Sequence, residues 1–338
     1  MIVVSQTVDR QRLALCSAIA AERPPDAGRP ATNRPLTRYP LQRRLPIAVN
    51  SHKRGVMPSG LGPVLITGCS SGLGQAVARA FRNAGHLTIA TARKAETLAP
   101  LTAIGCEALP LDVTDEASRS AAVAETERRF GPIGVLINNA GCGQYGPLEE
   151  ISPELLQRSF EINVFGLLRM SQLALPGMRR AGCGRIVNIS SLAGRVTAQG
   201  GGAYHMTKYA VEAIADALRP EVKPFGIDVV NVLPGPFDSP YRDKLVAGIP
   251  DTGPDSPYLV YKRRIGHHML NFLSPGRFGV MPVAKVADVV LKAGTTPRPR
   301  TRYNVGFWAK FGPVGRMLTP DRIVDAYTSW ESRRADVP

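Results

Sequence analysis

Tyr204 and Lys208 stand four residues apart in Tyr-His-Met-Thr-Lys. On a helix that spacing puts both side chains on one face, with Cβ atoms roughly 5–6 Å apart. An ammonium held beside a phenol favours the phenolate and draws the tyrosine pKa down from its usual value of ~10. A tyrosine tuned in this way can pass a proton to or from an alcohol or carbonyl oxygen. The pair alone is weak evidence, because the same spacing occurs on solvated helix faces. Its meaning depends on the elements that position it.

Those elements begin with Val64–Thr67, an apolar run suited to a strand buried on both faces. It leads into Gly68-Cys-Ser-Ser-Gly72-Leu-Gly74 and then a helical pattern over residues 76–82. Strand, glycine-rich turn and helix form a dinucleotide-binding arrangement: the backbone approaches a pyrophosphate closely, and the helix N-terminus supplies favourable partial charge. Gly68, Ser70, Ser71, Gly72, Leu73 and Gly74 are the candidate contacts. The spacing T-G-x-x-x-G-x-G is not G-x-G-x-x-G. Here the chain resembles the short-chain dehydrogenase/reductase family in its main single-domain branch. The T-G-x-x-G-x-x-G spacing of the extended branch is absent.

A second strand, Leu87–Thr91, ends at Ala92-Arg93-Lys94. A carboxylate here would bind the adenosine ribose and select NAD. There is none, and Arg93 suits a 2′-phosphate, so NADP(H) is the preferred cofactor and NAD(H) the alternative. The plainer reading makes Arg93 and Lys94 the start of a solvated helix. Leu111–Thr114 closes a third strand, and the resemblance places Asp112 and its neighbour Val113 at the adenine. Asp115 is the better cap for the helix 115–130. A fourth strand, Ile133–Ile137, runs into Asn138-Asn139-Ala140-Gly141, which resembles the family's NNAG motif. The motif implies that Asn139, Ala140 and Gly141 line the cofactor site. In the long helix from Pro153 to about Arg180, Asn163 matches the family's helix asparagine, which implies a water held in a proton relay to the lysine.

The fifth strand, Gly184–Ser191, ends in serines, and Ser191 lies thirteen residues before Tyr204 as the family's catalytic serine does. The resemblance therefore implies a set of Asn163, Ser191, Tyr204 and Lys208. Hydride passes between cofactor and substrate carbon, Tyr204 exchanges the proton, and Ser191 fixes the substrate oxygen. Lys208 holds the ribose, so Tyr204 and Lys208 count as cofactor contacts too. His205 receives no role. After the sixth strand, Ile227–Leu233, Pro234-Gly235 matches the family's PG motif near the nicotinamide. The threonine often found a few residues on is missing, and Ser239 is the nearest substitute.

Residues 236–282 read as a long stretch covering the substrate before a helix at Val283–Lys292. Phe237, Tyr241, Leu245, Tyr258, Tyr261, Ile265, Met269, Leu270 and Phe272 make it apolar and aromatic. That suits a hydrophobic substrate, or simply packs the lid onto the body. His267-His268 reads as surface rather than a metal site. Residues 297–306 resemble the last strand of steroid- and retinol-dehydrogenase-like members. Residues 307–338 form an extension with a final helix around 320–330, for which substrate mouth, subunit contact and membrane surface stay open.

Composition sets outer bounds. Among 338 residues, 44% are hydrophobic and no run of about 18 apolar residues occurs. Five scattered cysteines read as reduced thiols in a cytoplasmic protein. The net charge of +15 does not point to nucleic acid: ten basic and three acidic residues fall in positions 1–56, and no basic helix follows. That Arg- and Pro-rich leader, residues 1–58, reads as disordered or as an extension upstream of a start at Met57; its composition also resembles a transit peptide. The expectation is an α/β doubly wound parallel sheet, a Rossmann fold, over residues 59–306. The expected function is an NADP(H)-dependent alcohol/carbonyl oxidoreductase for a lipophilic small molecule of steroid-, retinoid- or lipid-like kind, working as a homodimer or homotetramer without bound metal. The rival reading is a non-catalytic NADP(H) sensor on the same fold.

Overall fold

The computed structural model describes residues 61–239 and 241–334. The leader and residues 335–338 lie outside the described residues. Seven strands make one parallel sheet: β1 (Val64–Ile66), β2 (Thr88–Ala92), β3 (Glu107–Pro110), β4 (Val135–Asn138), β5 (Gly184–Ile189), β6 (Ile227–Pro234) and β7 (Arg302–Val305). Their spatial order is β3-β2-β1-β4-β5-β6-β7. The helices are α1 (Gly72–Asn83), α2 (Ala99–Thr102), α3 (Glu116–Phe130), α4 (Pro153–Phe160), α5 (Gly166–Ala181), α6 (Gly202–Val222), α7 (Tyr241–Ala247), α8 (Leu259–Phe272), α9 (Val283–Thr295), α10 (Phe307–Leu318) and α11 (Asp321–Arg334). The doubly wound parallel sheet is the one the sequence predicts.

Successive side chains of a strand point to opposite faces, and here each face has its own core. Val64, Ile66, Ile137 and Val187 pack with Val77 and Phe81 of α1 and Val286 and Val290 of α9. Leu65, Leu136, Ile186 and Val229 pack with Val123 of α3, Met170 and Met178 of α5 and Ala215 of α6. Covered on both sides, β1, β2, β4 and β5 are buried along their whole length. Between β1 and β4 the direction of winding reverses, and a crevice opens at the strands' carboxyl ends.

Local chemistry explains the helix ends. The Asp115 carboxylate accepts the Ser118 N–H at 2.6 Å and caps α3, as the sequence indicates. Ser152 caps α4 by accepting from Leu155 N, with Pro153 at the first turn. Gly182, at φ 67°, closes α5 in the left-handed conformation.

Four expectations need correction. β3 stops at Pro110, and Leu111–Thr114 form a turn after it, in which Asp112 accepts from both the N–H and the hydroxyl of Thr114. That local ring competes with ladder pairing. The single helix read from Pro153 to Arg180 contains a π-helical segment, Glu161–Phe165. Its wider turn buries Asn163 against the Cys142 backbone. The stretch 236–282 folds into α7 and α8, whose helical periods are masked in sequence by exposed charged positions. Residues 307–318 form a further helix, α10.

Arg185 on β5 is 1% exposed. It donates to the carbonyls of Ala293, Gly294 and Thr296 at the end of α9, and pairs with Asp228 of β6 at 3.1 Å. Removing its side chain leaves three carbonyls without their donor, while Asp228 keeps its bond to Lys223 at 2.7 Å. Arg185→Ala should therefore cost roughly 3 kcal/mol or more, at about 1–3 kcal/mol per buried carbonyl left unpaired, read as a lower urea midpoint.

Candidate active site

The crevice is a cleft of ≈ 1160 Å³ above the carboxyl ends of β1, β4, β5 and β6. Gly68, Ser70, Ser71, Gly72, Leu73 and Gly74 line one arm, with Arg93, Asp112 and Val113 at its far end. Asn139, Ala140 and Gly141 form the floor, and Pro234 and Gly235 one wall. Ser191, Tyr204 and Lys208 line the opposite arm. Of the residues singled out from sequence, Asn163 is set apart: it is buried behind the floor.

The glycine-rich turn is shaped by close approach. A Cβ on Gly74 would stand 2.2 Å from the Gly68 carbonyl oxygen and 2.5 Å from Asn139 Nδ2. Gly68 and Gly72 hold φ of 74° and 58°, in the left-handed region. The loop is stitched to β4: Asn139 Nδ2 donates to the Thr67 and Gly68 carbonyls, and the Thr67 hydroxyl accepts from Asn139 N and Ala140 N. Helix α1 begins without a side-chain cap and without an acidic residue in its first turn. Its leading N–H groups therefore suit an anion, and the residues present fit the pyrophosphate of a dinucleotide. Among the described residues, the segment directly after β2 brings no carboxylate to the cleft lining. Arg93 stands exposed at this end of the cleft beside Asp112, and its charge helps to lower the Asp112 pKa: partial burial raises it, but the Thr114 bonds and then Arg93 and Arg119 outweigh that.

At the other arm, Lys208 Nζ donates to the Ile189 carbonyl at 2.9 Å and lies 5.7 Å from the centroid of the Tyr204 ring. Asn163 Oδ1 accepts from Cys142 N, and its Nδ2 donates to the Cys142 carbonyl and to Thr207 Oγ1 on α6. It thus ties the floor to the helix bearing Tyr204 and Lys208. Ser191 accepts from Ala193 N and begins the short turn Leu192–Gly194.

The electrostatics correct the opening expectation. Burial pushes the Tyr204 phenol up to about 12, and the Ser191 hydrogen bond opposes this only in part. Burial likewise pulls Lys208 down to about 8, against the charges of Cys142 and Glu212. The ammonium is spent on a backbone carbonyl rather than on the phenol, and desolvation dominates both groups. Burial therefore favours the protonated phenol of Tyr204 over the phenolate.

Two residues of the site escaped the sequence reading. His205, given no role, is buried with Nδ1 within 3.0 Å of the Ala193 carbonyl and 2.7 Å of the Val196 carbonyl, pinning the Ser191 turn to α6. Tyr145 stacks on Tyr204, with centroids 5.6 Å apart. It sits in an irregular loop, where no periodicity could mark it. From the lid, Phe237, Leu245, Met269 and Phe272 face the cleft. Tyr261 and Ile265, which do not line it, pack with Leu245, Met269 and Tyr145 in a small core. His268 lines the cleft and stacks on Phe272. Ser239 also lines it, and its hydroxyl lies 3.2 Å from where a Gly72 Cβ would stand.

A sheet wound this way, with a glycine turn at its switch point and a Tyr-Lys helix across from it, has counterparts among known proteins. Residues 63–249 match the family described as short chain dehydrogenase. Retinol dehydrogenase 16 of Rattus norvegicus is 33% identical over 285 residues, covering 81% of this chain and 89% of that protein. The crystal structure of a short-chain dehydrogenase from Streptomyces avermitilis is 35% identical with a TM-score of 0.67, covering 82% of this chain and 99% of that one. A serine dehydrogenase in its closed form, complexed with NADP+, is 25% identical with a TM-score of 0.63, over 72% and 94% of the two chains. The chain belongs to the short-chain dehydrogenase/reductase family and is an oxidoreductase.

Burying Lys208 has a measurable consequence for stability. Its fall from 10.5 to about 8 disfavours the charged form in the fold by roughly 3 kcal/mol, less about 1 for its bond to Ile189. The unfolded chain binds the extra proton between those values, so the penalty is complete below pH 8 and fades as pH rises toward 10.5. Lys208→Met should be more stable than the parent by about 2 kcal/mol at pH 7, with the gap closing above pH 10. Denaturant unfolding at several pH values checks this.

Proposed function

We propose that the protein is an NADP(H)-dependent reductase of lipophilic carbonyl compounds, with the reverse oxidation available at high pH. The observation that carries the reading is the convergence of Ser191, Tyr204 and Lys208 beneath an apolar lid, opposite a phosphate-shaped arm that ends in Arg93. The NADP+ bound by the serine dehydrogenase and the substrate class in the retinol dehydrogenase's name agree with it.

The glycine-rich turn and the first turn of α1 would hold the pyrophosphate, Arg93 the 2′-phosphate, Asp112 and Val113 the adenine, and Lys208 the nicotinamide ribose. Gly141, Pro234, Gly235 and Ser239 would border the nicotinamide. When bound, the dinucleotide supplies or accepts hydride. The chain's own residues manage the oxygen and its proton. Ser191 Oγ hydrogen-bonds the substrate oxygen and sets its place. Tyr204, kept protonated by burial, gives its proton as negative charge develops there. Asn163 fixes α6 against the floor, and Tyr145 backs the Tyr204 ring away from water. Phe237, Leu245, Met269 and Phe272 cover an apolar substrate and exclude solvent. The same raised phenol must lose its proton for oxidation, so oxidation should quicken with rising pH while reduction is favoured near neutrality.

NADPH consumption against carbonyls graded from small polar aldehydes to steroid-sized ketones, with NADH alongside, tests the reading. Turnover of the large apolar members with NADPH is expected. Turnover of small polar ones alone, or faster reaction with NADH, would overturn the substrate or the cofactor assignment respectively. Tyr204→Phe should lose about 10²–10⁴-fold in kcat while NADPH still binds. A sensor on the same fold would keep its function in that variant.

A further inference from the structure

Asn138, Asn188 and Asn231 occupy one register level on β4, β5 and β6, and Arg302 continues that level on β7. The three amides are 3%, 0% and 0% exposed. Asn138 Nδ2 donates to Asn188 Oδ1 at 3.0 Å, and Asn188 Nδ2 to Asn231 Oδ1 at 3.1 Å. Asn231 Nδ2 then donates to Glu212 Oε1 on α6 at 2.7 Å. Arg302 Nε donates to the other carboxylate oxygen at 2.7 Å, and its Nη2 to Asp216 one turn further along α6.

The direction of this chain follows from Glu212. An ionised carboxylate only accepts, so Asn231 must turn its NH2 toward it and its oxygen toward Asn188. Asn188 must then do the same toward Asn138. One buried charge thus orients three amides across three strands, each polarising the next. Three parts of the site adjoin this network. Asn138 precedes Asn139, which grips the glycine-rich turn, and it also donates to Ser171 on α5. Asn188 precedes Ile189, whose carbonyl receives Lys208. Glu212 lies one helical turn after Lys208 and two after Tyr204 on the same face of α6.

We propose that Glu212, clamped between Asn231 and Arg302, is a positioning residue that sets where α6 holds Lys208 and Tyr204. The proposal rests on the roles given to those two residues above. Glu212 also acts by its charge. The groups facing Lys208 are Tyr204 and Glu212 on its own helix, the Cys142 thiol from the loop after β4, and the Ile189 carbonyl of β5. Glu212 itself faces Arg302 and, beyond it, Asp216 paired with Arg219. Removing the Glu212 charge makes Lys208 give up its proton at lower pH. Removing Arg302 leaves that charge unopposed and makes Lys208 keep its proton to higher pH.

The test compares Glu212→Gln and Arg302→Gln with the parent, first checking folding by circular dichroism. The alkaline limb of NADPH-dependent carbonyl reduction should move down in Glu212→Gln and up in Arg302→Gln, each by roughly half to one pH unit. In Glu212→Gln kcat should fall about tenfold with KM for the carbonyl little changed. The pH dependence of NADPH binding, followed by cofactor fluorescence, should shift in the same opposite directions without any turnover. If the parent reduces no carbonyl, the functional reading fails, and the binding scan still decides this one. A merely structural role would lower stability and leave both limbs in place. Unmoved limbs, or limbs moving together, overturn the proposal. Should Glu212→Gln not fold, an upward shift in Arg302→Gln sustains it and its absence overturns it.

Discussion

Two loops leave neighbouring parallel strands at the switch point and must pack against each other with almost no room. Thr67 follows β1 and Asn139 follows β4, and four hydrogen bonds between their backbones and side chains join the loops. A Cβ on Gly68 would lie 2.8 Å from Ala140 Cα, so the contact is backbone on backbone. This closeness flattens the cleft floor and aims the start of α1 along it. The glycines, the Asn-Ala-Gly tripeptide and the uncapped helix serve one steric requirement.

The second governing constraint is desolvation. The cleft buries a phenol and an ammonium in one low-dielectric arm, and each responds by favouring its neutral form. Lys208 is nonetheless anchored to the Ile189 carbonyl, and Asn163 braces the same helix through Thr207. The fold carries a buried ionisable group at the cost of stability, an exchange common at reactive sites. It also explains why the proton sits on Tyr204: isolation from water, more than proximity to a cation, decides its state.

Much of this was legible in the chain. Buried parallel strands read as largely apolar runs, so β1, β2, β4, β5 and β6 show in sequence, and the T-G-x-x-x-G-x-G spacing locates the turn. Tyr204 and Lys208 share a face because the helical period requires it. The π segment at Glu161–Phe165 was not legible, because one extra residue in a turn shifts the apolar register by a single step that a run of helix-forming residues does not mark. Nor was the lid: α7 and α8 bury only a few side chains each, so their periodicity is faint.

The sequence by itself determined the order of strands and helices, the glycine turn and the Tyr-Lys spacing, all of which depend on residues near one another in the chain. Tertiary structure alone decided what those residues become. It set the protonation of Tyr204, brought Tyr145 onto its ring, pinned His205 to the Ser191 turn, and aligned three asparagines from strands far apart in sequence. Each of these depends on solvent exclusion or on contact across many intervening residues, and neither is encoded in any local spacing.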